Sequence, residues 1–154
     1  MQRLVEGLNL ATIRLARPDD AAALAALIDE LGYEATEAEV AERLTEVVEL
    51  VGHVLVAEQD GIVVGCLSSS IMRAVHRPRP VGRISMMVVS EKLRGHGIGA
   101  MLVAEAERML AEQGCGLVEV TSQMHRVRAH QFYEKLGYEK TSVRLARNLD
   151  GGPV

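Results

Sequence analysis

The feature that most restricts how this chain can fold is a change of periodicity past its midpoint. The apolar run Met86-Met87-Val88-Val89 reads as the end of a strand spanning Arg83–Val89. Arg94-Gly95-His96-Gly97-Ile98-Gly99-Ala100 follows, and Leu102, Ala106, Met109 and Leu110 then recur at helical spacing up to Gly114. Leu117-Val118-Glu119-Val120-Thr121 is a further strand, so a strand, a crossover helix and a second strand predict parallel neighbours in one sheet. An opposite signal lies upstream. His53–Glu58 and Ile62–Met72 are strand-like and flank Asp60-Gly61, a two-residue hairpin turn that makes them antiparallel. The sheet must therefore be mixed.

The remaining elements follow from punctuation. Thr12–Arg17 alternates as a strand, Pro18-Asp19-Asp20 offers a turn and a helix cap, and Leu24, Leu27, Ile28 and Leu31 form a helical stripe stopped by Gly32. Thr36 and Glu39 form a capping box for a second helix carrying Val40, Leu44, Val47 and Val51. The stretch His76-Arg77-Pro78-Arg79-Pro80 cannot run through a sheet and reads as a loop. Arg126–Leu136 is a last helix closed by Gly137, and Tyr138–Arg147 a last strand. The order β-α-α-β-β-β-α-β-α-β is an α+β architecture around a mixed, mostly antiparallel sheet.

With 154 residues and 48% hydrophobic content, the chain fits one domain over residues 1–154, with 1–11 and 150–154 expected to be loose. A net charge of -4 provides no attraction to nucleic acid or an anionic membrane. No apolar run is long enough to span a bilayer, and Met1-Gln2-Arg3-Leu4 lacks a secretory pattern, so the expectation is a cytoplasmic protein. Cys66 and Cys115 sit in strand-like segments with no ligand cluster nearby, which predicts two buried free thiols and no metal site.

Three glycines at alternate positions between a strand and a helix leave backbone N–H groups bare at the positive end of a helix dipole, an arrangement suited to phosphate. A plain turn needs only one of them. Gly95-x-Gly97-x-x-Ala100, with Glu119 roughly 20 residues on, also satisfies the dinucleotide fingerprint. Too little chain follows Ala100 to complete a doubly wound fold, and the glycines come after an antiparallel hairpin. No Gly-Lys-Ser or Gly-Lys-Thr ends the loop, which excludes a nucleoside-triphosphatase loop.

Arg94-x-x-Gly97-x-Gly99, after Met87-Val88-Val89 and before an amphipathic helix, resembles the pyrophosphate loop of the GNAT superfamily of N-acetyltransferases. Ala129-His130-Gln131-Phe132-Tyr133-Glu134-Lys135-Leu136-Gly137-Tyr138 resembles that family's second signature, at the expected distance downstream. The element order agrees from Ile13 to Arg147. The resemblance implies acetyl-coenzyme A as donor, a primary amine as acceptor, and a central splay between the strand ending at Val89 and the strand starting at Leu117. Homodimers are common among such relatives.

It also implies roles. The N–H groups of Gly95, His96, Gly97, Ile98, Gly99 and Ala100, beside Arg94, would hold the pyrophosphate, with the His96 side chain a spectator or phosphate contact. The backbone of Met87, Val88 and Val89 would pair with the pantetheine arm, and one of those N–H groups would polarise the thioester carbonyl. Tyr133 would protonate the departing thiolate, Phe132 would pack in the core, and Arg126 takes a place where many relatives contact pantetheine through asparagine. The reaction implied is direct attack in a ternary complex.

An alkylammonium of pKa about 10.4 must lose a proton before it attacks. Relatives often place a glutamate where this chain has Ser85, which can hold a relay water but is no carboxylate base; Glu119, His125 and His130 are the substitutes on offer. The absent carboxylate keeps open a different class of function, a non-catalytic acyl-coenzyme A sensor. Arg73, His76, Arg77, Arg79 and Arg83 form a basic patch, either solvated or a receiver for an anionic acceptor. The acceptor itself carries no signature.

Overall fold

Asp60 and Gly61 both adopt positive φ, 52° and 77°, the pairing that a type I′ turn requires. They join β2 (Gly52–Gln59) to β3 (Ile62–Met72), and β1 (Thr12–Leu15) adds to the outer edge of β2. β4 (Val81–Val89) pairs antiparallel with β3, and β5 (Leu117–Val120) pairs parallel with β4. The sheet order is β1-β2-β3-β4-β5. These features come from a computed structural model that describes residues 10–50 and 52–154. The expected loose leader, 1–11, lies mostly outside the described residues, as does Val51.

Four helices accompany the sheet: α1 (Ala21–Glu30), α2 (Glu37–Glu49), α3 (Ile98–Glu112) and α4 (Val127–Lys135). The capping box of α2 forms as expected, with the Glu39 N–H donating to Thr36 Oγ1 (3.2 Å) and the Thr36 N–H to Glu39 Oε2 (2.8 Å). Alternation along the strands sorts the core into two layers. Leu24, Leu27 and Val40 of α1 and α2 pack with Val54, Val56, Cys66 and Val88 on one face. On the other lies α3, with Leu102 and Leu110 fully buried. Gly82 lets this helix close on β4: a Cβ there would come within 2.6 Å of Leu110 Cδ1.

The chain divides into two compact units between Val120 and Thr121. The sheet, α1, α2 and α3 belong to the first. In the second, α4 ends at Gly137 (φ 93°), where the Gly137 N–H donates to the Glu134 carbonyl and the Tyr138 N–H to that of Tyr133, 3.0 Å each. The strand expected over Tyr138–Arg147 is not formed. Val143 and Leu145 alternate as strand residues should, yet both are exposed, and among the described residues the segment enters no ladder. A strand exists only through a partner, and alternation by itself supplies none. Among the described residues, no helix is long and apolar enough to cross a membrane.

An ion cluster ties β1 to the start of α1. The Arg14 guanidinium meets Asp20 through two bonds of 2.8 and 2.9 Å and reaches Glu58 of β2 at 2.6 Å. Asp20 also accepts the Arg17 N–H at 2.7 Å. Bonding to Arg14, then to Arg17, holds the Asp20 carboxyl below its usual range, against the opposing effect of burial. A depressed carboxylate stabilises the fold above its unfolded pKa, and this contribution disappears as pH falls through the native value. Asp20→Asn should therefore lower neutral-pH stability by about 1–3 kcal/mol. Denaturant melts of the two proteins should converge as pH falls below the ordinary aspartate range.

Candidate functional site

The site begins where β4 loses one neighbour. Its pairing with β5 runs Val81↔Leu117, Gly82↔Val118, Arg83↔Glu119 and Ile84↔Val120, then stops, while pairing with β3 continues to Val89. From Ser85 to Val89 the sheet is open on one side. Alternate N–H and C=O groups of that stretch point away from β3, and among the described residues no strand receives them.

A bulge falls at the same point. Ser68 pairs with Met86 and Ser69 with Ile84, leaving Ser85 as the extra residue. Gly82 faces α3, whereas Met86 and Val88 face the cluster of α1 and α2, so even-numbered residues change sides across the bulge. This re-aims Met87, Val88 and Val89. Ser85 is exposed and its Oγ donates to the Ser68 carbonyl at 3.2 Å. Sequence alternation gave no sign of the bulge, because Ser-Met-Met fits either phase of a strand.

Beyond Val89, a turn of 3-10 helix over Glu91–Leu93 leads to the glycines. Gly95 and Gly97 have φ of 84° and 83°, which L side chains rarely adopt, and a Cβ at either would meet nothing within 4 Å. These glycines thus serve a left-handed path beside open space, not close packing. Gly97 is the N-cap of α3, no side chain caps the helix, and its first internal bond is the Met101 N–H to the Gly97 carbonyl (3.1 Å). The N–H groups of Ile98, Gly99 and Ala100 lie in that uncapped first turn, at the positive end of the helix dipole.

Two side chains brace the loop. Arg94 Nε donates to the Val89 carbonyl (3.1 Å), fastening the glycines to the end of β4 with its remaining guanidinium donors to spare. His96 Nδ1 lies 3.1 Å from both the Leu93 and the Arg94 carbonyls, so the ring folds back onto its own loop as an Nδ1–H donor. Of the substitutes for a carboxylate at Ser85, Glu119 is already engaged. Its Oε1 accepts from Arg83 Nε (2.8 Å) and Nη2 (2.6 Å), across the last rungs of the β4–β5 ladder.

The second unit carries the other singled-out residues. Arg126 is the N-cap of α4, and its carbonyl accepts the His130 N–H at 3.2 Å. His130 Nε2 lies 3.0 Å from the Gln123 carbonyl, while His125 stands in the turn before the helix. Tyr133, not Phe132, is the buried member of the aromatic pair. Its ring meets those of Phe132 and Tyr138 edge-on at 5.0 and 5.4 Å. Burial pushes its hydroxyl up to about 12, so it stays protonated at neutral pH. Met87 to Ala100 are thus brought together in the first unit, and Arg126 and Tyr133 in the second.

The chain matches the model of the acetyltransferase (GNAT) family over residues 21–138. It is a member of the GNAT family. An aminoalkylphosphonate N-acetyltransferase of Salmonella typhimurium is 30% identical over 154 residues, covering 97% of this chain and 98% of the relative. Two solved structures share the fold. An aminoglycoside N-acetyltransferase in complex with CoA is 20% identical with a TM-score of 0.83, covering 95% of this chain and 99% of that one. Glucosamine-6-phosphate N-acetyltransferase from Arabidopsis thaliana is 22% identical with a TM-score of 0.80, covering 91% and 99%. The GNAT fold expected from the glycine loop and the Phe-Tyr segment is therefore present, with its sheet opening between β4 and β5.

Tyrosine ionisation gives a direct check on the environment of Tyr133. Followed by ultraviolet absorbance, the intact protein should show a tyrosinate step near pH 12, and Tyr133→Phe should remove it.

Proposed function

We propose that this GNAT protein transfers an acetyl group from acetyl-coenzyme A to the primary amine of a small molecule, by direct attack in a ternary complex. The observation that carries the reading is a continuous run of unpaired backbone: the open edge of β4 from Ser85 to Val89 leads into the uncapped N-terminus of α3. That run fits the coenzyme. Gly95 and Gly97 leave free space where a Cβ would project, and N–H groups at a helix start suit a pyrophosphate.

Bound there, the coenzyme supplies an activated acetyl thioester. The N–H groups of Gly95 to Ala100 and the spare donors of Arg94 hold its phosphates. Met87, Val88 and Val89 would pair with its arm as with an added strand, and one of their N–H groups would polarise the thioester carbonyl. Arg126 supplies a further contact to the arm. Tyr133 holds a proton at its hydroxyl for the leaving sulfur, and its apolar surroundings keep that proton in place until a strong base appears. On the acceptor side no carboxylate stands at Ser85, whose hydroxyl can position a relay water, and Glu119 is occupied by Arg83.

The same reading takes the chain as one catalytic domain of the cytoplasm. The name of the Salmonella relative makes aminoalkylphosphonates the first acceptors to try. Thiol release should follow sequential kinetics, with intersecting double-reciprocal lines. Coenzyme binding without thiol release across aminoalkylphosphonates, aminoglycosides and amino acids would instead establish a sensor. Saturable binding of NAD but not of acetyl-coenzyme A would overturn the donor assignment.

Two variants separate the roles. Gly97→Val forces a branched residue into left-handed backbone and should raise the KM for acetyl-coenzyme A roughly tenfold or more, with the far-ultraviolet circular dichroism unchanged. Tyr133→Phe should lower kcat roughly 100-fold with little change in either KM.

A further inference from the structure

The loop between β3 and β4 carries Arg73, Arg77 and Arg79, and all three line one cavity of about 220 Å³ with Ala74, Val75 and Pro80. Other arginines of this acidic chain meet carboxylates: Arg14 meets Asp20 and Glu58, Arg83 meets Glu119, and Arg108 meets Glu105 and Glu112. In the loop cavity no carboxylate lines the wall. Among the described residues the side chains of Arg73 and Arg77 have no ion-pair or hydrogen-bond partner. Arg79 gives Nε and Nη2 to the Gly114 and Cys115 carbonyls (3.2 and 3.0 Å), which leaves Nη1 uncommitted.

The loop that carries these charges is fixed in place. The Arg77 N–H donates to the Ala74 carbonyl (3.1 Å), and the Gly116 N–H to that of Pro80 (3.0 Å). Pro78 and Pro80 restrict φ on both sides of Arg79. Both Arg73 and Arg79 act on the Cys115 thiol, favouring its thiolate against the larger opposing effect of burial. Converging like charges, held by a stiff loop without a counter-charge, are unfavourable until an anion joins them. Guanidinium forks match the oxygens of phosphate and phosphonate. At a strand rise of about 3.3 Å per residue, Pro80 precedes Val89 by roughly 30 Å, so this cavity is separate from the glycine loop.

We propose that the cavity under the β3–β4 loop is a second anion site, which binds a small phosphate or phosphonate group between Arg73 and Arg77 with Arg79 as a third donor. It does not depend on the acetyl-transfer reading. The group has two sources, free phosphate or the anionic end of an amine ligand.

The test titrates inorganic phosphate into the full chain held at saturating coenzyme A, followed by 31P line broadening and by thermal unfolding. Saturable binding is expected, weakened roughly tenfold in Arg73→Gln and in Arg77→Gln, with their unfolding temperatures unchanged when phosphate is absent. Arg77→Lys keeps the charge but loses the fork, and its binding should fall between wild type and Arg77→Gln, which guards against a misfolded neutral variant. Competition between 2-aminoethylphosphonate and phosphate would assign the site to an amine ligand's anionic end; independent behaviour would assign it to free phosphate. Absence of saturable binding, binding by Arg73→Gln and Arg77→Gln as tight as that of wild type, or one-for-one displacement of phosphate by coenzyme A would overturn the proposal.

Discussion

Backbone pairing along β4 is the constraint on which the candidate site depends. A strand inside a sheet normally satisfies both edges, and β4 does so from Val81 to Ile84. From Ser85 onward it keeps only β3, and the bulge at Ser85 turns its side chains over at the same place. Leaving peptide groups unpaired in a sheet interior is costly, so a fold keeps such an opening only if something supports the strand from elsewhere. Here α3 does so. Its residues Ile98 and Leu102 lie against Gly65 of β3, Leu110 lies against Gly82 of β4, and Arg94 fastens the connecting loop to Val89. The same glycines that let the helix close on the sheet therefore sustain the gap on the far edge of β4.

How much of this could be read from the residues depended on whether the signal was local. Asp60-Gly61 and the Thr36–Glu39 box specify their own geometry within four residues, and both occur as expected. The glycine loop was legible for the same reason, since left-handed backbone before a helix has few other solutions. Non-local features were not. The Ser85 bulge is set by the offset between β3 and β4, and the Arg14–Asp20–Glu58 cluster joins residues from three elements. Tyr138–Arg147 shows the converse error: alternation of Val143 and Leu145 suggested a strand, but pairing is a property of two segments.

Charge is handled differently at the two ends of β4. At its start, Arg83 and Glu119 neutralise one another across the parallel ladder, while the loop just before it concentrates guanidinium groups without acids. At its end, Arg94 and the first turn of α3 present positive partial charge from backbone as much as from side chain. An acidic chain thus keeps two local regions of positive potential separated by the length of one strand. Over that distance, and at physiological ionic strength with a Debye length of about 8 Å, the two fields act independently.

The two cysteines bear on how such a protein can be assayed. Cys66 and Cys115 are both free and buried, and burial raises both thiols, that of Cys66 to about 12. Neither offers an accessible thiolate near neutrality, so a disulfide-exchange dye added to the native protein sees little signal from the protein itself. An acyl-transfer assay that counts released thiol by its colour would therefore run with low background. Under denaturant the same dye should find two thiols per chain, turning a nuisance reaction into a measure of the unfolded fraction.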